Sequence, residues 1–315
     1  MGRVSNTFSR LEGTVPWVGK VNKKYWRMLA SVFIPFVLYR IFWIKMSLIG
    51  KYIRLGRIFR RGSGRTVIVA LDHGRRHGPI LGIEDLKTTV AKVVEADIDA
   101  VMVTVGMLRH VYEEVAGRVS VIARIDGTGT TRGPDYTDDR LISSVDMAVK
   151  VGADAVSIMV YMGCEREADQ LEKMGFVADA CENYGIPLLS EIIPSKPYLE
   201  DPFSPDVVAY CSRIGAEYGS DVIKTFYTGD PSSFKHVTSK VPIPIVVLGG
   251  PKKKTIKDFL SMVKGAIEGG GRGVAVGRNI FQYKDPTLMA KAVSEIVHKN
   301  RSVEDVMEEV LGLKG

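Results

Sequence analysis

From Gly64 onward the chain alternates short apolar runs with longer stretches whose apolar residues recur every three or four positions. The runs fall at residues 66–71, 100–105, 119–125, 155–160, 187–193, 221–224, 244–248 and 273–276. They are rich in Val and Ile and largely apolar on successive positions, as in parallel strands covered on both faces. Between most of them the period is helical. Residues 83–95 carry Leu86, Val90, Val93 and Val94 on one face. Residues 165–184 carry Ala168, Leu171, Met174, Val177 and Ala180, and Gly185 then stops the helix. Residues 204–218 and 256–268 repeat the design, each followed by glycine, and 285–299 closes the series. A short tail helix is predicted over 304–313, placed to cover the barrel or to serve an interface.

Eight strand–helix units predict an α/β fold, a (β/α)8 TIM barrel. An open doubly wound sheet is the runner-up. The number of units and the lack of a Gly-x-Gly-x-x-Gly turn after the first strand count against it.

In such a barrel the chemistry sits where strands end, so each carboxyl end is a candidate site. Strand six ends in Asp221-Val-Ile-Lys224. A lysine there loses water around its ammonium, which favours the neutral, nucleophilic amine that forms Schiff bases with carbonyl compounds. The competing reading is a lysine that snorkels to solvent. Strand one ends at Asp72, which is able to pair with a cation or simply shape a turn. Arg124 and Asp126 share a face at the end of strand three, as an inward pair or as barrel filling. Strand four ends at Tyr161. On strand five Glu191 and Ile193 share a face, which brings a carboxylate towards Lys224 if that face is the interior.

Strands seven and eight end in Leu248-Gly249-Gly250-Pro251-Lys252 and Val276-Gly277-Arg278-Asn279. Glycines after these two strands let backbone N–H groups approach phosphate oxygens, with Lys252 or Arg278 completing the neutralisation.

Taken together, five stretches resemble the DeoC/FbaB/LacD family of class I aldolases. They are Leu71-Asp-His-Gly74 with Gly78-Pro79, Gly152-Ala-Asp-Ala-Val-Ser157, Asp221-Val-Ile-Lys-Thr-Phe-Tyr-Thr-Gly-Asp230, Gly249-Gly-Pro-Lys252 and Gly277-Arg-Asn-Ile-Phe-Gln282. The likeness runs from about Met46 to His298 and points to archaeal-type fructose-1,6-bisphosphate aldolases and 2-amino-3,7-dideoxy-D-threo-hept-6-ulosonate synthases. It implies a Schiff base on Lys224, a substrate contact at Asp72, and a phosphate pocket at Gly249, Gly250, Gly277 and Arg278. It also implies no metal and no organic cofactor, and a homo-oligomer, often a decamer.

The chain departs from the family at the end of strand five. The usual Tyr-Pro-Arg-Gly, whose tyrosine moves the proton, is Ile193-Pro-Ser-Lys196 here. Val105 also stands where a lysine is common. Glu191, Tyr161 and Tyr227, in that order, are the candidates to move the proton instead; Asp126, Lys252 and Tyr227 are further candidates for substrate contact. The implied activity is a lyase acting on a phosphorylated ketose. Its rivals are a transaldolase-type ulosonate synthase and a sugar-phosphate-binding barrel without turnover.

Composition changes one part of this picture. Hydrophobic content of 45% and charged content of 25% are those of a globular protein. Residues 1–62, however, hold 13 Lys and Arg against one acid, Glu12, while the remainder holds 30 basic and 35 acidic residues. The formal charge of +7 therefore belongs to an arm, and the acidic body is no candidate for nucleic acid. Residues 1–45 carry all three tryptophans and an apolar run broken by Pro35 and Arg40. That run is short of the ~20 residues a spanning helix needs. The arm reads as a membrane-surface anchor or as an upstream extension ahead of a start at Met46, with the barrel domain over 46–315. Cys164, Cys181 and Cys211 have no metal-ligand spacing and are odd in number, so a reducing cytoplasm is expected.

Overall fold

The computed structural model describes residues 46–313. The chain divides into two compact units, Met1–Leu48 and Ile49–Gly315, and the following concerns the second. The expected anchor over residues 1–45 lies outside the described residues.

Eight parallel strands close into a barrel in sequence order. They are β1 (Thr66–Ala70), β2 (Ala100–Thr104), β3 (Ser120–Arg124), β4 (Ala155–Met162), β5 (Leu188–Pro194), β6 (Val222–Thr225), β7 (Ile245–Leu248) and β8 (Gly273–Val276). Val69 pairs with Val101 on one side and Val276 on the other, which closes the ring. The helix over residues 46–58 is α1. There follow α2 (Gly74–His77), α3 (Leu86–Val94), α4 (Val105–Val115), α5 (Val145–Lys150), α6 (Glu167–Tyr184) and α7 (Pro205–Glu217). The remainder are α8 (Pro231–Lys240), α9 (Ile256–Glu268), α10 (Arg278–Phe281), α11 (Pro286–Lys299) and α12 (Val303–Asp305).

The strands are apolar on both faces because each face has its own core. Val67 and Val69 of β1 point outward to the helices, packing with Val293 and Ile296 of α11. Ile68 and Ala70 point inward, with Ala100 and Met102, Ile122, Ala155, Leu189, Val222, Val246 and Ala275. This inner set marks the parity of every strand. Two residues further on, the same parity carries Asp72, Arg124, Glu191, Lys224 and Gly277 to the carboxyl mouth.

The opposite end is plugged by α1. Ile58, flanked by Leu55 and Phe59, packs against the inner core. Lys51 pairs with Glu182 at 2.9 Å and Asp221 at 3.0 Å, and Arg57 with Asp154 at 2.9 Å.

Helix starts are set by local chemistry. Asp85, Thr104, Ser144, Asp230, Thr255 and Asp285 each accept a backbone N–H two or three residues into the following helix. Two expectations are corrected. Residue 105 opens α4 rather than ending β2, because Thr104 caps there; Val105 turns outward into the helix-facing core. The tail is a short α12 followed by a π-helical turn, Val306–Val310. Val303, Val306 and Leu311 bury it in the core shared with α9 and α11. Among the described residues no helix is long and apolar enough to cross a membrane.

Candidate active site

Lys224 leaves β6 almost wholly buried, at 4% exposure. Its register partner across the ladder is Glu191 of β5, and the Nζ lies 3.0 Å from Glu191 Oε2. That same oxygen accepts a hydrogen bond from Arg124 Nη2. Arg124 is fully buried and also reaches Asp72, Nε to Oδ2 at 2.9 Å, and Asp126, Nη1 to Oδ1 at 3.3 Å. A buried guanidinium is tolerable only with such compensation. Alternation along β3 and β5 turns both side chains inward, and the adjacent registers bring them together.

Burial alone raises the pKa of Glu191, but the Lys224 ammonium and the Arg124 guanidinium outweigh it and hold the carboxylate below its usual range. Burial likewise opposes ionisation of Asp72. Arg124, then Lys224 and Arg75, reverse the balance and keep it ionised. Arg124 loses hydration too, yet the three carboxylates raise its pKa further above the ordinary arginine range.

His73 follows Asp72. Its ring stands edge-on to Phe281 with centroids 5.2 Å apart, and its buried Nδ1 finds no hydrogen-bond partner among the described residues. Burial, with the charges of Lys224 and Arg278 outweighing the pull of Asp72, lowers it to about 4. The ring also roofs Gly277. A Cβ there would stand 2.4 Å from His73 Cε1 and 2.4 Å from the Ala70 carbonyl oxygen.

The two glycine loops are joined by one side chain. Asn279 donates from Nδ2 to the carbonyl oxygens of Gly249 (3.2 Å) and Pro251 (3.3 Å) and accepts from the Lys253 N–H (2.8 Å). Gly250 has φ +62°, a left-handed turn that suits glycine. Arg278 is half-buried with its Nε unpartnered among the described residues. Lys252 is exposed and donates to the Gln282 carbonyl oxygen at 2.9 Å.

The remaining expected residues are placed less centrally. Tyr161 is buried on β4 beneath the Arg76 guanidinium, 5.5 Å from ring centroid to Cζ, and burial raises its hydroxyl pKa. Ile193 is its register partner, so the strand-five position of the family tyrosine presents only hydrocarbon. Asp126 is fully buried and occupied by Arg124, by the Met159 N–H at 2.7 Å and by Lys173 at 2.9 Å. It braces the site from beneath and offers no face to a ligand. Tyr227 turns away towards α8 and α9, edge-on to Phe234 with centroids 5.4 Å apart and its hydroxyl over Gly265; burial pushes that hydroxyl up to about 12. It lines a cleft of about 410 Å³ behind Gly249 and Gly250.

His73, Arg75, Arg76, Asp139, Lys173 and Asn279 escaped the sequence reading. The consecutive arginines after Asp72-His73 were the visible signal. Asp139 and Lys173 meet through a loop and a helix face that no local pattern links.

The site is that of an aldolase barrel, and the comparisons agree. Residues 66–283 match the DeoC/LacD family aldolase profile. The chain belongs to that family and is an enzyme of the aldolase class. It is 40% identical over 268 residues to 2-amino-3,7-dideoxy-D-threo-hept-6-ulosonate synthase 1 of Archaeoglobus fulgidus, covering 83% of this chain and 96% of the relative. It is 36% identical over 248 residues to a 2-amino-4,5-dihydroxy-6-oxo-7-(phosphonooxy)heptanoate synthase of Streptomyces griseus, covering 79% of this chain and 90% of that one. Among solved structures, a Schiff-base-forming fructose-1,6-bisphosphate aldolase superposes with a TM-score of 0.73 at 33% identity, covering 78% of this chain and 98% of the other.

Proposed function

We propose that the chain is a Schiff-base aldolase acting on a phosphorylated ketose, with Lys224 as nucleophile. The observation that carries this is Lys224 itself, buried at the mouth with one carboxylate oxygen 3.0 Å from its nitrogen. The amine attacks the substrate carbonyl carbon, and loss of water from the carbinolamine leaves an iminium. A base takes the proton of the hydroxyl on the carbon beyond the scissile bond. The C–C electrons then flow into the iminium, releasing an aldehyde and an enamine. Protonation of the enamine and hydrolysis return the amine. Glu191, ionised and in contact with Lys224, is the base this geometry favours. Tyr161, whose hydroxyl burial keeps protonated, is suited to donate. Asp72 holds a substrate hydroxyl. Gly249, Gly250, Gly277 and Arg278 receive the phosphate, with Lys252 at the rim.

A second reading is bond formation, in which the enamine of a ketone phosphate attacks a second aldehyde, the ulosonate-synthase type of reaction. The identities favour it, since the synthase relatives reach 36% and 40% against 33% for the superposed fructose-bisphosphate aldolase. Ile193 in place of the family tyrosine also fits a changed reaction. Buried, unpaired Cys164, Cys181 and Cys211 support a cytoplasmic home, and the family likeness supports a homo-oligomer.

Borohydride trapping with dihydroxyacetone phosphate, fructose 1,6-bisphosphate and pyruvaldehyde, read by peptide mass spectrometry, tests the core of the proposal. A reduced adduct on Lys224 is expected. Folded protein that gives no adduct with any of the three overturns it.

A further inference from the structure

At the amino end of the barrel, opposite the mouth that holds Lys224, three side chains form a relay that the aldolase chemistry does not use. Ser63 lies in the turn before β1, Asp99 directly precedes β2, and His298 stands in the last turn of α11. His298 Nδ1 is 2.8 Å from Ser63 Oγ, and its Nε2 is 2.8 Å from Asp99 Oδ2. Only 5% and 6% of the His298 and Asp99 side chains are exposed. Ser63 is half-buried between two exposed glycines, Gly62 and Gly64.

The direction of each hydrogen bond follows from its neighbours. Asp99 already accepts from Arg60 Nε at 3.0 Å and from the Val67 N–H at 2.7 Å, so its oxygens serve as acceptors. The proton of the neutral imidazole therefore sits on Nε2, and Nδ1 is left as an acceptor. Ser63 Oγ accepts from the Arg65 N–H at 3.3 Å, which leaves its own proton to point at Nδ1. A hydroxyl, an imidazole that can take its proton and a carboxylate that fixes the imidazole are the parts of an acyl-transfer relay. Such a relay is recognised by geometry and roles, not by chain order.

The frame around it is tied down. The Arg60 N–H donates to the Arg65 carbonyl oxygen at 2.9 Å and the Gly64 N–H to that of Arg60 at 2.7 Å, which closes the turn carrying Ser63. Arg65 Nη1 donates to the Val297 carbonyl oxygen at 2.8 Å and Ser294 Oγ to that of Asp97 at 2.6 Å, which fastens α11 to both loops. The backbone N–H groups of Gly62 and Ser63 have no partner among the described residues and are available to a developing oxyanion.

We propose that Ser63 is the nucleophile of a second site, which takes small acyl groups from activated esters, with His298 as general base and Asp99 as the residue that positions it. Ser63 Oγ attacks the acyl carbonyl carbon as its proton passes to His298 Nδ1. The tetrahedral adduct collapses, the bond to the leaving oxygen breaks, and the leaving alcohol carries that proton away. Water, deprotonated by the same nitrogen, then attacks the acyl-serine and releases the acid and the free hydroxyl. The flanking glycines raise no wall of side chains, so the site selects for a small acyl group and a good leaving group rather than for shape.

The competing reading makes the three side chains a tie between α11 and the turn, with no reactivity. p-Nitrophenyl acetate separates the two, read by peptide mass spectrometry and by release of p-nitrophenolate. In the folded full-length protein Ser63 should be acetylated about 10²-fold or more faster than in the same chain unfolded in urea. Ser63→Ala should remove the acetyl group from that peptide and the matching part of the p-nitrophenolate, while acetylation of lysines is unchanged. His298→Gln should bring Ser63 down to the rate of the unfolded chain, with circular dichroism reporting that the variant is folded. If it does not fold, the comparison of folded and unfolded wild type decides alone. A Ser63 that reacts no faster in the folded protein, or a folded His298→Gln that reacts like wild type, overturns the site.

Discussion

Glu191 and Lys224 are register partners on neighbouring strands, and one carboxylate oxygen of the first lies 3.0 Å from the amine of the second. The pairing is fixed by backbone hydrogen bonds, so the distance does not depend on a flexible loop. A base and a nucleophile are thereby held together before substrate arrives. Glu191→Gln keeps the shape and removes the base. It should lower kcat by about 10²–10⁴-fold while borohydride still traps a ketone on Lys224. A fall of less than about fivefold would assign proton transfer elsewhere, with Tyr161→Phe the next variant to measure.

Arg124 is the cation that lets three carboxylates share the barrel interior. Arg124→Met fills similar space but leaves Asp72, Asp126 and Glu191 short of compensation. The loss of stability should be about 3–5 kcal/mol by urea unfolding. A variant within 1 kcal/mol of wild type would show that water or Lys173 replaces the guanidinium.

His73 gives the fold a sensitivity to mild acid. Its folded pKa of about 4 lies below the ordinary ~6.5, so the unfolded chain binds the proton first. The neutral ring's contribution is complete above about pH 6.5 and is lost as pH falls towards 4, roughly 2–3 kcal/mol in all. Asp72 and Glu191 are also held low, so their contribution disappears only in stronger acid, below ~4. Unfolding free energies at pH 7 and 4.5 should therefore differ more for wild type than for His73→Gln. Parallel pH profiles would sink the assignment.

Gly277 has no room for a side chain between the Ala70 carbonyl and the His73 ring. Gly277→Ala must displace one of them, and the ring is the softer neighbour. KM for a phosphorylated substrate should rise about tenfold or more, with a smaller change for an unphosphorylated ketone such as pyruvaldehyde. Equal changes for both would place the phosphate away from this loop.

The barrel was legible because each strand is apolar on both faces and each long helix carries a stripe, signals that local periodicity preserves. Helices α4, α5 and α8 were missed: α4 begins inside the apolar run of β2, α5 has only six residues, and α8 buries only Phe234 and Val237. Lys224 and the glycine ends of β7 and β8 stood out because they break apolar runs at positions where the architecture puts chemistry. The wider charge network was hidden. Asp139 is in a loop, Lys173 is in mid-α6, and they join Asp126, Arg75 and Arg76 only through the fold. Tyr227 misled for a related reason: proximity in sequence to Lys224 says nothing of the side to which a residue leaving the strand will turn. Here α9 offers Gly265 as a seat for the ring.

The single amide of Asn279 has a mechanical meaning. By holding the carbonyls of Gly249 and Pro251 and the N–H of Lys253, it welds the ends of β7 and β8 into one rigid piece. A phosphate arriving there meets a mould already set, and little of its attraction is spent on ordering the loops. The opposite rim, built from long arginines on a four-residue helix, is tied instead through the Asp139 carboxylate and the Tyr136 carbonyl. The mouth thus has two jaws, one set by an amide and the other by a carboxylate.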